Sequence, residues 1–146
     1  MRSSAVLVFV AFALVLVGCT STPEYRPEEI KAAINTSKVF FDQLSARQYD
    51  AICMLATPEL RAPDNRDRLV AVLKTVNEKA GSCSSPILLL TTAGRDKTGR
   101  FVDLRYKRTC AIGEVQELLS WSTKSGKPLL RSYFASNPAL AHERTQ

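Results

Sequence analysis

The chain has 146 residues, of which 45% are hydrophobic and 23% charged, and its formal net charge at pH 7 is +6. This length predicts one folded domain and excludes a second domain of comparable size, while the apolar fraction excludes a wholly disordered chain. Residues 81–146 hold ten Lys and Arg against five Asp and Glu. Such a basic half suits a protein that binds anionic lipid head groups, glycan carboxylates or an acidic partner. The alternative is that these basic residues only form a solvated face.

The first predicted element is an apolar run that follows Met1-Arg2 and ends in Leu16-Val17-Gly18-Cys19. Arg2 provides a positive n-region, and the apolar segment from Ala5 to Val17 is too short to cross about 30 Å of hydrocarbon comfortably. The pattern resembles the lipobox of bacterial lipoprotein signal peptides. That resemblance implies that residues 1–18 are a cleaved signal peptide, that Cys19 is lipidated and that the new amino terminus is acylated, with fatty chains such as palmitate.

The residues after Cys19 predict where the lipid places the protein. The sorting rule implied by the resemblance retains a lipoprotein in the inner membrane when aspartate follows the cysteine, and this chain has Thr20. We therefore expect anchoring to the outer membrane of the cell envelope, on its periplasmic face. No nucleic-acid partner is expected, because of this compartment and because the sequence has no basic-aromatic motif. Residues 19–27 have the composition of a polar tether. The alternatives for residues 1–18 are an uncleaved anchor helix and an ordinary secretory signal.

A folded domain is predicted over residues 28–136, with a polar tail at 137–146. The sequence Pro27-Glu28-Glu29 indicates a helix start, because acidic residues favour the positive end of the helix dipole. Apolar residues then recur at helical spacing in three amphipathic segments, with a further turn ending near Arg61. The predicted helices are residues 27–46, 49–56 and 64–80.

The second half changes to the two-residue period of β-strands. Extended runs at 84–94, 100–110, 114–122 and 128–135 are separated by turn sequences, which predicts a four-stranded antiparallel meander. In the second strand one set of alternating residues is mainly apolar and is assigned to the core side. That set is Val102, Leu104, Tyr106, Arg108 and Cys110.

Three cysteines remain once Cys19 carries lipid, which predicts one disulfide and one spare thiol in an oxidising compartment. A four-residue loop at 95–98 sets Cys110 opposite Cys83, and a two-residue loop at Ile112-Gly113 sets Leu104 opposite Trp121. This alignment predicts a Cys83–Cys110 disulfide. Cys53 is then expected to be a small buried apolar residue.

The order of elements and several local features resemble one known fold family. These features are Phe40-Phe41 and Leu44 in the first helix, the Ala46-Arg47-Gln48-Tyr49-Asp50 step, the Gly81 helix exit, and a last hairpin with Gly126 before Leu129, Leu130 and Tyr133. Together they cover most of residues 28–136 and are similar to the nuclear-transport-factor-2-like, or cystatin-like, cone fold of small exported domains of unknown function. The resemblance implies an α+β fold in which three N-terminal helices pack on a curved four-stranded antiparallel meander. Family members often carry Gly-x-Trp in the last hairpin, where this chain has Gly126-Lys127-Pro128.

Motifs for catalysis are weak in this sequence. The single histidine, His142, lies in the polar tail, so a Ser–His or Cys–His nucleophile lacks its base. No Cys and His spacing fits a zinc site and no glycine-rich phosphate loop is present, so neither a metal nor a cofactor is expected. Glu117 near Arg108 is the candidate general base for an enzyme. An ion pair with Arg108 lowers a carboxyl pKa, however, which favours a cross-strand ion pair over catalysis.

A ligand-binding cone is one of two binding hypotheses. Its pocket for a small molecule, lipid or glycan would lie at the open end of the sheet, with an apolar wall and a few polar groups. The same side chains can instead form only the core. The predicted pocket residues are Tyr106, Arg108, Glu117, Leu119, Trp121, Arg131 and Tyr133.

The other hypothesis is a non-catalytic interaction module, such as an envelope-assembly accessory or an immunity-type lipoprotein. It would form a homodimer or bind an envelope protein through the outer face of the sheet, where apolar residues lie among charged ones. Those residues are Leu88, Leu90, Phe101 and Leu118 among Asp103, Arg105 and Lys107.

Overall fold

A computed structural model describes residues 26–140, so the predicted signal peptide, Cys19, His142 and most of the tether lie outside the described residues. Over this range the chain is α+β, with four helices followed by four strands and a closing 3-10 turn at Pro138–Leu140. The helices are α1 Pro27–Ser45, α2 Tyr49–Met54, α3 Pro58–Arg61 and α4 Pro63–Ala80. The strands are β1 Ile87–Asp96, β2 Gly99–Cys110, β3 Gly113–Ser122 and β4 Leu129–Ser136.

Helix α1 forms as its sequence predicts. Pro27 occupies the first turn and Glu28 and Glu29 lie beside the exposed N–H groups of that turn, where negative charge is favourable. Its buried residues recur every three or four positions, which places them on one face against the sheet. They are Ala33, Ser37, Phe40, Phe41 and Leu44.

The predicted turn ending near Arg61 is a separate helix, α3, between the second and third predicted helices. Thr57 caps the single-turn helix α3 by accepting a hydrogen bond from the Leu60 N–H at 3.4 Å, and Pro58 occupies its first turn. Helix α4 begins at Pro63, one residue before the predicted start, because proline is well suited to the first helical position. It ends at Ala80 and is followed by Gly81, whose φ of 71° is readily adopted by glycine.

The sheet is an antiparallel meander in the order β1-β2-β3-β4, as predicted. The predicted core-side set of β2 is buried throughout. The predicted register is wrong by two residues in most of both hairpins, because each turn lies at different residues from those predicted. In the structure Asp96 pairs with Gly99 across the first turn, and Cys110 pairs with Gly113 across the second. Leu104 consequently pairs with Leu119 instead of Trp121. A shift of two residues keeps each side chain on its predicted face.

The core lies between the helices and one face of the sheet. Trp121 and Leu104 are fully buried there, and the Trp121 indole N–H donates to Ser37 Oγ at 2.9 Å, which supplies the partner that a buried indole needs. Leu140 is also fully buried, and its 3-10 turn packs against α4. The packed body therefore continues to residue 140, beyond the predicted boundary at 136.

The start of α1 and two hairpin turns meet at one end of the sheet, which we call the hairpin end: residues 26–29, 95–100 and 123–127. Glu29 joins them, since its carboxylate accepts from Arg100 at 2.5 Å and from the Thr123 hydroxyl at 3.0 Å. The Thr123 N–H also donates to the Arg100 carbonyl at 3.0 Å. The described body therefore begins at this end, beside both turns.

Candidate functional site

Most of the predicted pocket residues belong to the packed interior. Phe41 packs edge-on against Tyr106 with ring centroids 5.0 Å apart, and Phe40 lies 5.2 Å from Tyr133. These aromatic rings from α1 occupy the space beside the sheet where a ligand would have entered. Buried in this way are Tyr106, Arg108, Glu117, Leu119, Trp121 and Tyr133, each at most 5% exposed.

A buried ion pair lies within this interior. Arg108 donates through Nε to Glu117 Oε2 at 2.6 Å and through Nη2 to Oε1 at 2.8 Å, and the Tyr133 hydroxyl donates to Oε1 at 2.6 Å. The guanidinium also lies 5.2 Å from the Phe41 ring centroid. Arg108 and Glu117 are diagonal neighbours across β2 and β3, since Arg108 pairs with Val115 in the ladder. The predicted ion pair is therefore present, by a diagonal contact instead of a direct one.

This cluster suits a structural role better than proton transfer. Burial, and then the neighbouring Glu117 carboxylate, raise the pKa of Tyr133 well above its usual value, so the phenol stays protonated and keeps donating. Both Glu117 oxygens already accept hydrogen bonds from buried partners. A general base needs a lone pair within reach of substrate, and this carboxylate presents none to the surface.

Other reactive groups are also enclosed or dispersed. Cys83 and Cys110 form the predicted disulfide, and Cys53 is the buried free cysteine. Burial is the main cause that raises the pKa of the Cys53 thiol, which reduces its nucleophilicity. Within residues 26–140, no cluster of three or more His, Cys, Asp or Glu side chains is arranged to hold a metal ion.

Arg131, the seventh predicted pocket residue, lies apart from the other six. It donates to Ser120 Oγ and to Asp96 Oδ2, each at 2.8 Å, and its guanidinium stacks 4.6 Å from the Phe101 ring centroid. The difference arises at an irregularity in the β3–β4 ladder, where Ser120 pairs with Ser132 but Trp121 pairs with Leu130. Arg131 is the extra residue, so its side chain joins the face opposite the core.

Arg131 borders a surface groove of about 550 Å³ that sequence reasoning missed. The groove runs between the start of α3 and the hairpin end, and its surface is mainly apolar, with several hydroxyl groups and a few charged side chains. Three hydrogen bonds, two from Thr98 and then one from Arg131, lower the pKa of Asp96 at its rim to about 2. The lining residues are Thr57, Pro58, Glu59, Asp96, Thr98, Ser122, Lys124, Ser125, Leu129, Arg131 and Ser132.

Among residues 26–140, the longest run of exposed large apolar residues lies in the edge strand β1. Ile87, Leu88, Leu89 and Leu90 are 55%, 37%, 46% and 52% exposed. Within residues 26–140, β1 pairs only with β2. The opposite edge strand differs, because Leu130 of β4 exchanges backbone hydrogen bonds with the segment before α3: its N–H donates to the Leu55 carbonyl, and its carbonyl accepts from the Thr57 N–H, both at 2.8 Å.

The predicted outer-face residues divide into two groups. Leu88 lies opposite Tyr106 of the buried set, so the bulge between Leu88 and Leu90 separates the two leucines that the sequence placed on one face. Leu90, Phe101 and Leu118 lie with Asp103, Arg105 and Lys107 on the outer face, with Leu90 and Arg105 the most exposed. Ile87, Leu88, Leu89 and Leu90 of β1 are all exposed, whereas Phe101 and Leu118 of the outer face are only partly exposed.

Comparisons with known proteins add no assignment. The sequence matches no protein-family model, and no curated protein matches it. In the part of the chain that the structure describes, no helix is both long enough and apolar enough to cross a membrane.

Proposed function

We propose that this protein is a lipoprotein of the outer membrane, anchored by lipid on Cys19 at the periplasmic face, which acts there as a non-catalytic interaction module. The Leu16-Val17-Gly18-Cys19 pattern supports the anchor. The Cys83–Cys110 disulfide supports an oxidising compartment, since such bonds persist outside the cytosol. The proposal extends to the cystatin-like, cone-like form of the α+β fold, which the helix-then-meander order supports.

The free edge of β1 is the observation that carries the interaction. An edge strand exposes unpaired N–H and C=O groups, and natural proteins normally protect it with charge, proline or a covering segment. Here four consecutive apolar side chains lie on that edge, while Arg95 and Asp96 lie only at its end. The bulge at Leu89 bends the strand but leaves the residues on either side of it exposed.

A second copy of this chain is the occupant that we assign to this edge. Two β1 strands related by a two-fold axis pair antiparallel, which satisfies backbone groups on both edges and places apolar residues against one another. Lipid chains are a poorer occupant, because hydrocarbon cannot satisfy the backbone hydrogen bonds. Anchoring both copies to one membrane also raises their effective concentration.

The test is the oligomeric state of the chain 19–146 carrying Cys19→Ser, measured by light scattering during gel filtration. We expect a dimer for the parent chain and a monomer for Leu90→Lys, which adds a charge to the paired edge. Met54→Lys is the matched control, because Met54 is 68% exposed on α2 and receives the same charge. A parent chain that stays monomeric at high concentration would exclude the homodimer. Affinity capture from solubilised envelope is then carried out with the parent chain and both variants. A different protein partner at this edge would be captured by the parent chain and by Met54→Lys, but not by Leu90→Lys.

A second candidate function is ligand binding in the groove beside Arg131. Its volume of about 550 Å³ lies in the range of small-molecule sites, and its hydroxyl groups with Arg131 suit a lipid head group or a glycan. Native mass spectrometry of the protein extracted from the envelope tests this candidate. A bound lipid or glycan that is lost in Arg131→Met supports it, and an unliganded parent protein argues against it.

A further inference from the structure

We infer that the hairpin end is a second, electrostatic membrane contact that binds anionic lipid head groups; this inference rests on the proposed lipid anchor. The residues concerned are Lys97 in the β1–β2 turn and Lys124 and Lys127 in the β3–β4 turn, all exposed. In residues 26–140, none of these three lysines forms an ion pair.

The two turns form one surface because they pack against each other. A Cβ built on Gly99 would lie 3.3 Å from Lys124 Cβ, so the first turn lies directly beside the second. The start of α1 joins the same surface through Glu29, which bonds to both Arg100 and Thr123. The three lysines therefore lie near the point where the described body begins.

Chain length brings this end to the membrane. Seven residue steps separate Cys19 from Arg26, and they span at most about 25 Å when fully extended. Strand β2, with 12 residues, carries the chain roughly 36 Å from the hairpin end to the opposite turn. A lipid on Cys19 thus keeps the hairpin end within about 25 Å of the head groups, whereas the far turn lies roughly 36 Å along the sheet from that end.

The acidic residues at this end are largely neutralised by internal partners. Asp96 pairs with Arg131 at 2.8 Å and Glu29 pairs with Arg100 at 2.5 Å. The exposed carboxylates of Glu28 and Glu59 remain. Three exposed lysines, Lys97, Lys124 and Lys127, outnumber these two carboxylates.

The interaction strength follows from the number of lysines and the salt concentration. Each Lys near an anionic membrane surface contributes about a fivefold increase in binding, so three contribute roughly a hundredfold. This contribution extends over a Debye length of about 8 Å at physiological salt. Anionic phospholipid is a better candidate ligand than an anionic glycan, because the short tether holds the three lysines near the lipid head groups and does not hold them near a glycan.

The test measures co-sedimentation of the chain 19–146 carrying Cys19→Ser with phosphatidylcholine vesicles, with and without phosphatidylglycerol. This chain contains every residue of the described body, 26–140. We expect binding only to the anionic vesicles, weakening as salt is added. The variant K97Q/K124Q/K127Q should bind roughly a hundredfold more weakly. The matched control K38Q/R68Q/K74Q changes net charge equally on exposed helical positions and should bind nearly as well as the parent.

Two outcomes would overturn the inference. Equal losses in the two triple variants would mean that net charge, and not the hairpin end, controls binding. Lysine-dependent binding to isolated peptidoglycan without binding to anionic vesicles would assign the surface to glycan. Neither outcome affects the anchor, because the tested chain carries no lipid. Mass spectrometry of Cys19 in the native protein tests the anchor separately.

Discussion

The buried Arg108–Glu117 pair makes a sharp prediction for Arg108→Met. The side chains of Arg108 and Glu117 are 3% and 0% exposed. Removing the guanidinium leaves a buried carboxylate with only the Tyr133 hydroxyl as partner, and breaking a buried pair in this way costs about 3–5 kcal/mol. We therefore expect the free energy of unfolding to fall by that amount.

The adjacent residue provides the matched control. Lys107 forms an ion pair with Glu114 at 3.3 Å on the same two strands, but these side chains are 38% and 50% exposed. An exposed pair contributes only about 0–1 kcal/mol. Lys107→Met, which removes the same charge from a neighbouring position, should therefore lower the free energy of unfolding by less than about 1 kcal/mol.

The assay is urea unfolding followed by fluorescence. Trp121 is the only tryptophan and is fully buried, so its emission reports loss of the core. The triple variant R108M/E117L/Y133F replaces the whole polar cluster by apolar groups and should recover most of the stability lost in Arg108→Met, since no unpaired charge remains. Equal losses of stability in Arg108→Met and Lys107→Met, or a triple variant less stable than Arg108→Met, would contradict the assigned cost of an unpaired buried carboxylate.

Further predictions concern the sulfurs and the β1–β2 turn. The Cys83–Cys110 bond joins residues 27 apart. Replacing both cysteines by Ser should lower the free energy of unfolding by about 3–4 kcal/mol, as measured by urea unfolding. Cys53 should resist a thiol reagent in the native chain and react once urea unfolds it, because it is buried. The Asp96 carboxyl should titrate at about 2 by NMR, and Thr98→Val should raise that value, since Thr98 provides the largest contribution. A depressed folded pKa means that the stabilisation from Asp96 is present above its ordinary pKa near 3.8 and is lost as pH falls through about 2.

The fold could be predicted from sequence because periodicity specifies faces. The alternating set in β2 and the three- and four-residue spacing in α1 both assign the core side correctly. The third helix, α3, is a single turn and too short to show a period, so only Pro58 and the capping Thr57 marked it. The burial of Leu140 depends on contact with α4, which no local pattern reveals.

The candidate sites were less predictable, because they depend on packing between distant elements. Sequence reasoning placed Arg131 with Tyr133 by simple alternation, and the irregularity near Ser120 moved it to the other face. The groove that Arg131 borders also needs α3, which lies far away in sequence. Glu29 joins Arg100 across 71 residues, a contact that no spacing rule anticipates. Faces follow from local periods, whereas grooves and clusters follow from tertiary contacts.

The disulfide was predicted correctly although most of its hairpin was aligned wrongly, and the bulges explain why. Near the turn, Thr91 pairs with Leu104, two residues away from the predicted register. The bulge between Leu88 and Leu90 removes one residue of that difference, so Leu88 pairs with Tyr106. The register changes by one more residue between Ile87, which pairs with Lys107, and the isolated Cys83–Cys110 bridge, so Cys83 lies opposite Cys110 as predicted. A correctly predicted disulfide therefore tests the register only in the ladder beside it, and the exposed leucines of β1 lie where the ladder is interrupted.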